Sequence, residues 1–272
     1  MDSLLRKKKE EKMKQGITVV QDITNKNSSL KYTGLKVLDM TSGSVFKETL
    51  EKWEICIVAL KGKITVSDED NKFESLGRRE SVFEKIPTDS VYISNDRSYS
   101  VLAETEATIL LAYAPSKNQL PTKLIKAEDN TIEDRGKYAN KRYVHNILPD
   151  DNPSANSLLV VEVYTESGNW SSYPPHKHDQ DNLPYESFLE EIYYHELNPA
   201  QGFVFQRVYT EDREIDETMA VYNQDSVIVP KGYHPVGVPD GYQSYYLNVM
   251  AGPVRTWKFH NEQDHEWILD RK

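Results

Sequence analysis

Two series of short β-prone runs, each broken by turn residues, constrain this chain more than any other feature. The first series is VLDM, ICIVAL, KITV, SVFEKI, SVYI and TILLAYA, between Leu35 and Ala114. Thr41-Ser42-Gly43, Gly62, Asp68 to Asn71, Pro87 and Asn95-Asp96 punctuate it. The second, from Leu158, is SLLVVEVY, EEIYYHEL, GFVFQRVY, MAVY, SVIVP and YYLNVMA. Runs of this length with such punctuation predict strands of an antiparallel sandwich or barrel. The order of the second series echoes the first: EVYTESG matches VLDMTSG, EEIYYHEL matches WEICIVAL, and SVIVPKGYHPV matches SVFEKIPTDSV. A repeat of this kind predicts duplication of a small β-barrel.

The expected division is therefore a basic arm over residues 1–30, a barrel over 31–115, a polar connector over 116–145, and a second barrel with an aromatic tail over 146–272. Arg6, Lys7, Lys8, Lys9, Lys12 and Lys14 give the arm its charge, and a solvated tail without function is the expectation there. The single cysteine, Cys56, lies inside an apolar run and reads as a buried thiol.

A net charge of -10 argues against a nucleic-acid surface. No apolar run approaches the roughly 18 residues that span a bilayer, and the N-terminus lacks the apolar core of a signal peptide. A cytoplasmic protein without a membrane partner is the expectation.

All seven histidines lie beyond residue 144, so only the second barrel can hold a histidine-rich site. In SYPPHKHD, His176 and His178 stand two apart in a segment suited to extended backbone, where i and i+2 share a face. Downstream come the adjacent Glu190 and Glu191, then His234 in SVIVPKGYHPV. Three imidazoles and one carboxylate suit Zn, Fe, Mn, Co or Ni and leave positions open for water or substrate. Strand alternation lets only one of Glu190 and Glu191 face that site, and Asp179, Asp181 and Glu186 are rival carboxylates.

His-x-His, a following Glu and the later PKGYH resemble the two-part metal motif of the cupins. More specifically, SGNWSSYPPHKHD, LEEIYYHEL, VPKGYHPV and YYLNVMAGPVRTW resemble the 5-deoxy-glucuronate isomerases of bacterial myo-inositol catabolism, relatives of the 4-deoxy-L-threo-5-hexosulose-uronate ketol-isomerases. The resemblance implies an all-β tandem cupin with a divalent metal, zinc first, on His176, His178, Glu191 and His234. It also implies an aldose-ketose isomerase that converts 5-deoxy-D-glucuronate to 5-dehydro-2-deoxy-D-gluconate. The link between His178 and Glu191 is longer than the usual cupin spacing.

Such a substrate carries a carboxylate, for which Arg255 is the first candidate, with Lys177, Arg142, Arg207 and Lys231 behind it. Tyr193, Tyr246 and His195 are candidates for proton transfer, with none singled out as the base. The expected partner is a small sugar acid, with a homo-oligomer as a further expectation. The alternatives are another cupin enzyme such as an Fe-dependent dioxygenase, and a non-catalytic sugar-binding bicupin.

Overall fold

The computed structural model describes residues 3–13 and 16–271. Its strands form two sandwich-like barrels, each a seven-stranded sheet facing a four-stranded one. In the first barrel the large sheet runs, in spatial order, Lys123–Ile125, Ser90–Ile93, Trp53–Lys61, Ala107–Pro115, Gly34–Met40, Ile17–Ile23 and Glu11–Lys12. In the second it runs Leu5–Arg6, Ser226–Val229, Glu190–Asn198, Gln243–Ala251, Leu159–Thr165, Arg142–Leu148 and Thr131–Arg135. Neighbours pair antiparallel in both, and six of the seven equivalent places are visited in the same sequence order, the topology a duplicated barrel would have. The exception is one edge, filled last in the first sheet by Lys123–Ile125 and first in the second by Leu5–Arg6.

The central strands read as unbroken apolar runs because both of their faces are buried. In Trp53–Lys61, Ile55, Ile57 and Ala59 point into the first barrel, where they meet Phe46, Val66 and Val101 of its small sheet. Cys56, Val58 and Leu60 point the other way and join one cluster with Val161, Ile192 and Leu247 of the second barrel. The two large sheets thus pack back to back, and the seam between the barrels is itself a core. Each fully buried aliphatic side chain there contributes about 1.5–3 kcal/mol. Burial also pushes the Cys56 thiol far up, so it is an inert packing group.

Polar groups tie the seam together. Arg79 of the first half reaches Glu162 of the second, and both are wholly buried. Tyr164 accepts from the same guanidinium at 2.9 Å, Tyr245 donates to Glu162 at 2.8 Å, and His145 Nδ1 lies 3.3 Å from that carboxylate. Glu54 accepts the backbone N–H groups of Asn156, Ser157 and Leu158 at 2.7–2.9 Å.

Three expectations are corrected here. The region read as a basic arm is structured: Ile17–Ile23 is a strand of the first large sheet, and Leu5–Arg6 crosses to pair with Val227 and Ser226 of the second. The buried Leu4 anchors that crossing, and Asp225 holds Lys7 and the Lys8 amide at 2.9 Å. Lys14 lies outside the described residues. The connector likewise lends Lys123–Ile125 to the first sheet and Thr131–Arg135 to the second. SVFEKI is not a strand: Val82–Glu84 is a 3-10 turn, with Ser81 capping it and Glu84 accepting the Ser81 amide. The partner of SVIV in the repeat is therefore SVYI, since Ser226–Val229 and Ser90–Ile93 occupy equivalent positions.

Candidate metal centre

Strand Glu190–Asn198 sets the site, because its two faces serve different ends. Glu190 turns toward the seam, where its carboxylate accepts the Lys31 amide at 2.8 Å and the Tyr32 amide at 2.7 Å. Glu191, Tyr193 and His195 alternate onto the opposite face, inside the second barrel. Of the two adjacent carboxylates, only Glu191 meets the histidines.

His178 Nε2 lies 3.1 Å from Glu191 Oε2, and His234 Nε2 lies 3.2 Å from the same oxygen. Candidate ligand atoms of His176, His178 and His234 all fall within 4.8 Å of one another. Two of the rings are fixed in tautomer by the backbone. His178 Nδ1 donates to Leu189 O at 2.9 Å and His234 Nδ1 donates to Gly232 O at 2.8 Å, because a carbonyl can only accept. Their Nε2 atoms therefore turn inward. His234 Nε2, left as the acceptor nitrogen of the ring, is buried without a hydrogen-bond partner, a lone pair that a cation would satisfy. Asn248 donates to the other Glu191 oxygen, a carboxylate brace of the kind that surrounds metal ligands.

The electrostatics describe the same cluster. Burial pushes His176 well below its usual pKa, and the neighbouring His234 and His178 push in the same direction. Burial works against ionisation of Glu191, yet its contacts with His234 and His178 hold its carboxyl down at about 2. The His178 ring is raised despite burial, by its contact with Glu191. Three imidazoles and an ionised carboxylate converging on one buried point form a donor set fit for a divalent cation.

The long link between His178 and Glu191 is a hairpin. Asp179–Asn182 pairs with Glu186–Phe188, and the Leu189 amide returns to His178 O at 2.9 Å. An excursion of this form lengthens the spacing without moving the ligand. It also occupies two of the three rival carboxylates, while Asp181 lies exposed. Glu186 and Asp179 both clasp Lys177, at 3.1 and 2.8 Å, and Asp179 additionally accepts the Gly232 amide at 2.9 Å. That last bond fastens the His-x-His segment to the PKGYH turn. At Gly232 the backbone has φ of 98°, and an added Cβ would fall 2.5 Å from Tyr209 O, so glycine is required at this point.

Two expected substrate contacts have other employment. Lys177 is buried and neutralised by Asp179 and Glu186, so it cannot offer its charge to a ligand. Arg255 spends its guanidinium on the carbonyls of Leu148, Pro149, Asp150, Asn152 and Leu158, at 2.6–3.5 Å. It is a staple for that loop.

Tyr193, Tyr246 and His195 are brought together inside the barrel. The Tyr193 ring lies 4.8 Å from Tyr246 and 5.8 Å from His234, and its hydroxyl is 2.9 Å from Ser172 Oγ. Burial raises both phenols, so they stay protonated at neutral pH. His195 stacks behind Tyr193 and donates from Nε2 to Gln206 at 2.9 Å. Burial lowers its pKa to about 4, leaving a neutral ring.

Sequence reasoning passed over Asn248, Ser172 and Phe259. Asn248 had a signal: it is the polar residue two beyond Tyr246 in an otherwise apolar strand, hence on the same face. Phe259 had none, since its role depends on the tail folding back. His176–Lys177 pairs with His260–Asn261, which brings the Phe259 ring to 4.7 Å from His176.

A family model described as KduI/IolB family matches residues 4–268. Proteins named 5-deoxy-glucuronate isomerase from Bacillus velezensis and Bacillus subtilis strain 168 are 69% and 68% identical over 271 residues, covering 100% of both chains. The crystal structure of an IolB-like protein from Salmonella typhimurium LT2 superposes with a TM-score of 0.93 at 46% identity, over 98% of this chain and 99% of that one. Oxalate decarboxylase from Lactobacillus farciminis superposes at 0.67 with 12% identity, over 96% and 89% of the two chains, a likeness of fold alone. The all-β tandem-cupin fold expected from the sequence is the fold this chain has.

Proposed function

The chain belongs to the KduI/IolB family and is an isomerase, and from that premise we propose that it interconverts 5-deoxy-D-glucuronate and 5-dehydro-2-deoxy-D-gluconate in myo-inositol degradation, using a divalent metal. The observation that carries the reading is the convergence of His176, His178, His234 and Glu191 inside the second barrel. These four residues would hold the ion, with zinc first among Zn, Fe, Mn, Co and Ni for a donor set of three imidazoles and one carboxylate. When bound, the cation supplies Lewis-acid stabilisation of negative charge on the substrate's carbonyl oxygen and neighbouring hydroxyl.

The protein's own groups do the rest. Moving a carbonyl from C1 to C2 transfers one hydrogen from C2 to C1 and exchanges hydroxyl protons, so no external oxidant or reductant enters. Tyr193 and Tyr246, kept protonated by burial, stand as hydrogen-bond donors to sugar oxygens. His195, neutral and behind Tyr193, fixes that ring by stacking. Phe259 over His176 restricts water at the site. A cytoplasmic setting and a homo-oligomeric assembly complete the proposal.

The test is proton NMR of a panel of uronates and deoxyuronates with metal-replete protein and no nicotinamide. Conversion of 5-deoxy-glucuronate is expected. Lack of turnover by a fully metallated sample would overturn the substrate assignment.

A further inference from the structure

The strand Arg142–Leu148 opens with a cation that the chain leaves unbalanced. Arg142 is partly buried, and its Nη1 donates to Asn140 O at 3.1 Å and Tyr173 O at 3.4 Å. Among the described residues, no carboxylate pairs with it, and its Nε and Nη2 find no acceptor. The other cations considered for a substrate acid are occupied. Arg255 is saturated by carbonyls, Lys177 by Asp179 and Glu186, Arg207 by a two-pronged pair with Asp216 at 2.8 Å, and Lys231 by Glu214 at 3.3 Å. Even the wholly buried Arg79 has Glu162.

Placement gives this unbalanced charge its meaning. Tyr173, which Arg142 touches, is three residues before His176. Arg142 pairs with Thr165, two residues beyond the Val163 that pairs with Tyr246, so strand alternation puts it on the same face as Tyr246 and Tyr193. Arg142 also lines a cavity of about 720 Å³ with Tyr143, Tyr164, Lys85 and Arg135, the last two already paired with Glu166 and Glu133. Burial, with Arg135 nearby, pulls the guanidinium below its usual pKa, the mark of a cation lacking a counter-charge.

We propose that Arg142 recognises the substrate's carboxylate, through a two-pronged pair made by Nε and Nη2, and so selects sugar acids over neutral sugars. The inference rests on the isomerase reading and names the residue that fixes substrate class. The acid end of the sugar lies against Arg142 and the carbonyl end reaches the histidine cluster.

Two measurements test it. In the first, Arg142→Met and Arg142→Lys are assayed on 5-deoxy-glucuronate and on its C6 alcohol, with metal content checked in each. The Met variant is expected to lose about 10- to 100-fold in kcat/KM on the acid, mostly in KM, with a much smaller change on the alcohol. The Lys variant should recover part of the loss. A folded, metal-loaded Arg142→Met protein that keeps the full preference for the acid overturns the proposal. In the second, D-glucuronate and D-glucose are titrated calorimetrically into wild type and Arg142→Met. Preferential binding of the acid, lost in the variant, supports the proposal even where turnover of the deoxyuronate fails and the isomerase reading falls. Equal binding of acid and neutral sugar by wild type overturns it.

Discussion

Replacing Arg79 by Met probes the seam that joins the two barrels. The wholly buried guanidinium serves Glu162, Leu60 O at 2.8 Å, Ile86 O at 3.0 Å and Tyr164 at 2.9 Å. Methionine fills much of the volume but strands a buried carboxylate, and breaking such a pair from one side costs about 3–5 kcal/mol. Tyr245 and His145 still touch Glu162, which favours the lower end. For a chain of this size the melting temperature should fall by roughly 6–20 °C. The assay is urea and thermal unfolding of wild type, Arg79→Met, and the double variant Arg79→Met/Glu162→Leu. Because the double variant buries no lone charge, it should recover most of the loss. The same pair sets an acid limit. Burial opposes ionisation of Glu162, but the charge of Arg79 and the contact with His145 hold its pKa at about 2, against an ordinary 4.5. Its stabilisation is therefore complete above pH 4.5 and fades as pH falls toward 2. A single Met variant within 1 kcal/mol of wild type, with an unchanged acid limb, would refute this account of the seam.

Glu190→Gln and Glu191→Gln should separate cleanly: the first loosens the seam by about 1–3 kcal/mol in urea unfolding and keeps its metal, whereas the second loses metal by elemental analysis. Asn248→Leu should weaken metal affinity by roughly 10- to 100-fold in chelator competition while the protein stays folded. His195, held at about 4 by burial against a usual 6.5, stabilises the fold as a neutral ring. That contribution is complete above pH 6.5 and is lost as pH falls toward 4, so His195→Gln should flatten the urea midpoint over that window.

What the sequence made legible follows from which forces are local. Strand positions were readable because β-branched runs and turn residues act over a few neighbours, and the paired series of runs exposed the two-barrel plan. SVFEKI misled because its apolar residues resemble those of a strand. The Ser81 and Glu84 pair that closes the turn, three residues apart, was the available contrary signal. The choice between Glu190 and Glu191 could not come from alternation, since both faces of that strand are buried and both carboxylates have partners. Only the back-to-back packing of the sheets distinguishes them. Arg255 looked available for the same kind of reason: the five carbonyls that occupy it come from residues 148–158, about a hundred positions away. Arg142 stands out only once the partners of the other candidate cations are known.

The central claim, a metal-dependent isomerase seated in the second barrel, is tested most directly by following 5-deoxy-glucuronate by NMR with one preparation in three states: metal-replete, chelator-stripped and restored. His176→Ala/His178→Ala serves as the control for the site. The account predicts about one divalent ion per chain, turnover that vanishes on stripping and returns on restoration, and a double variant lacking both metal and turnover. Full activity in the stripped protein, or unchanged metal in the double variant, would contradict it.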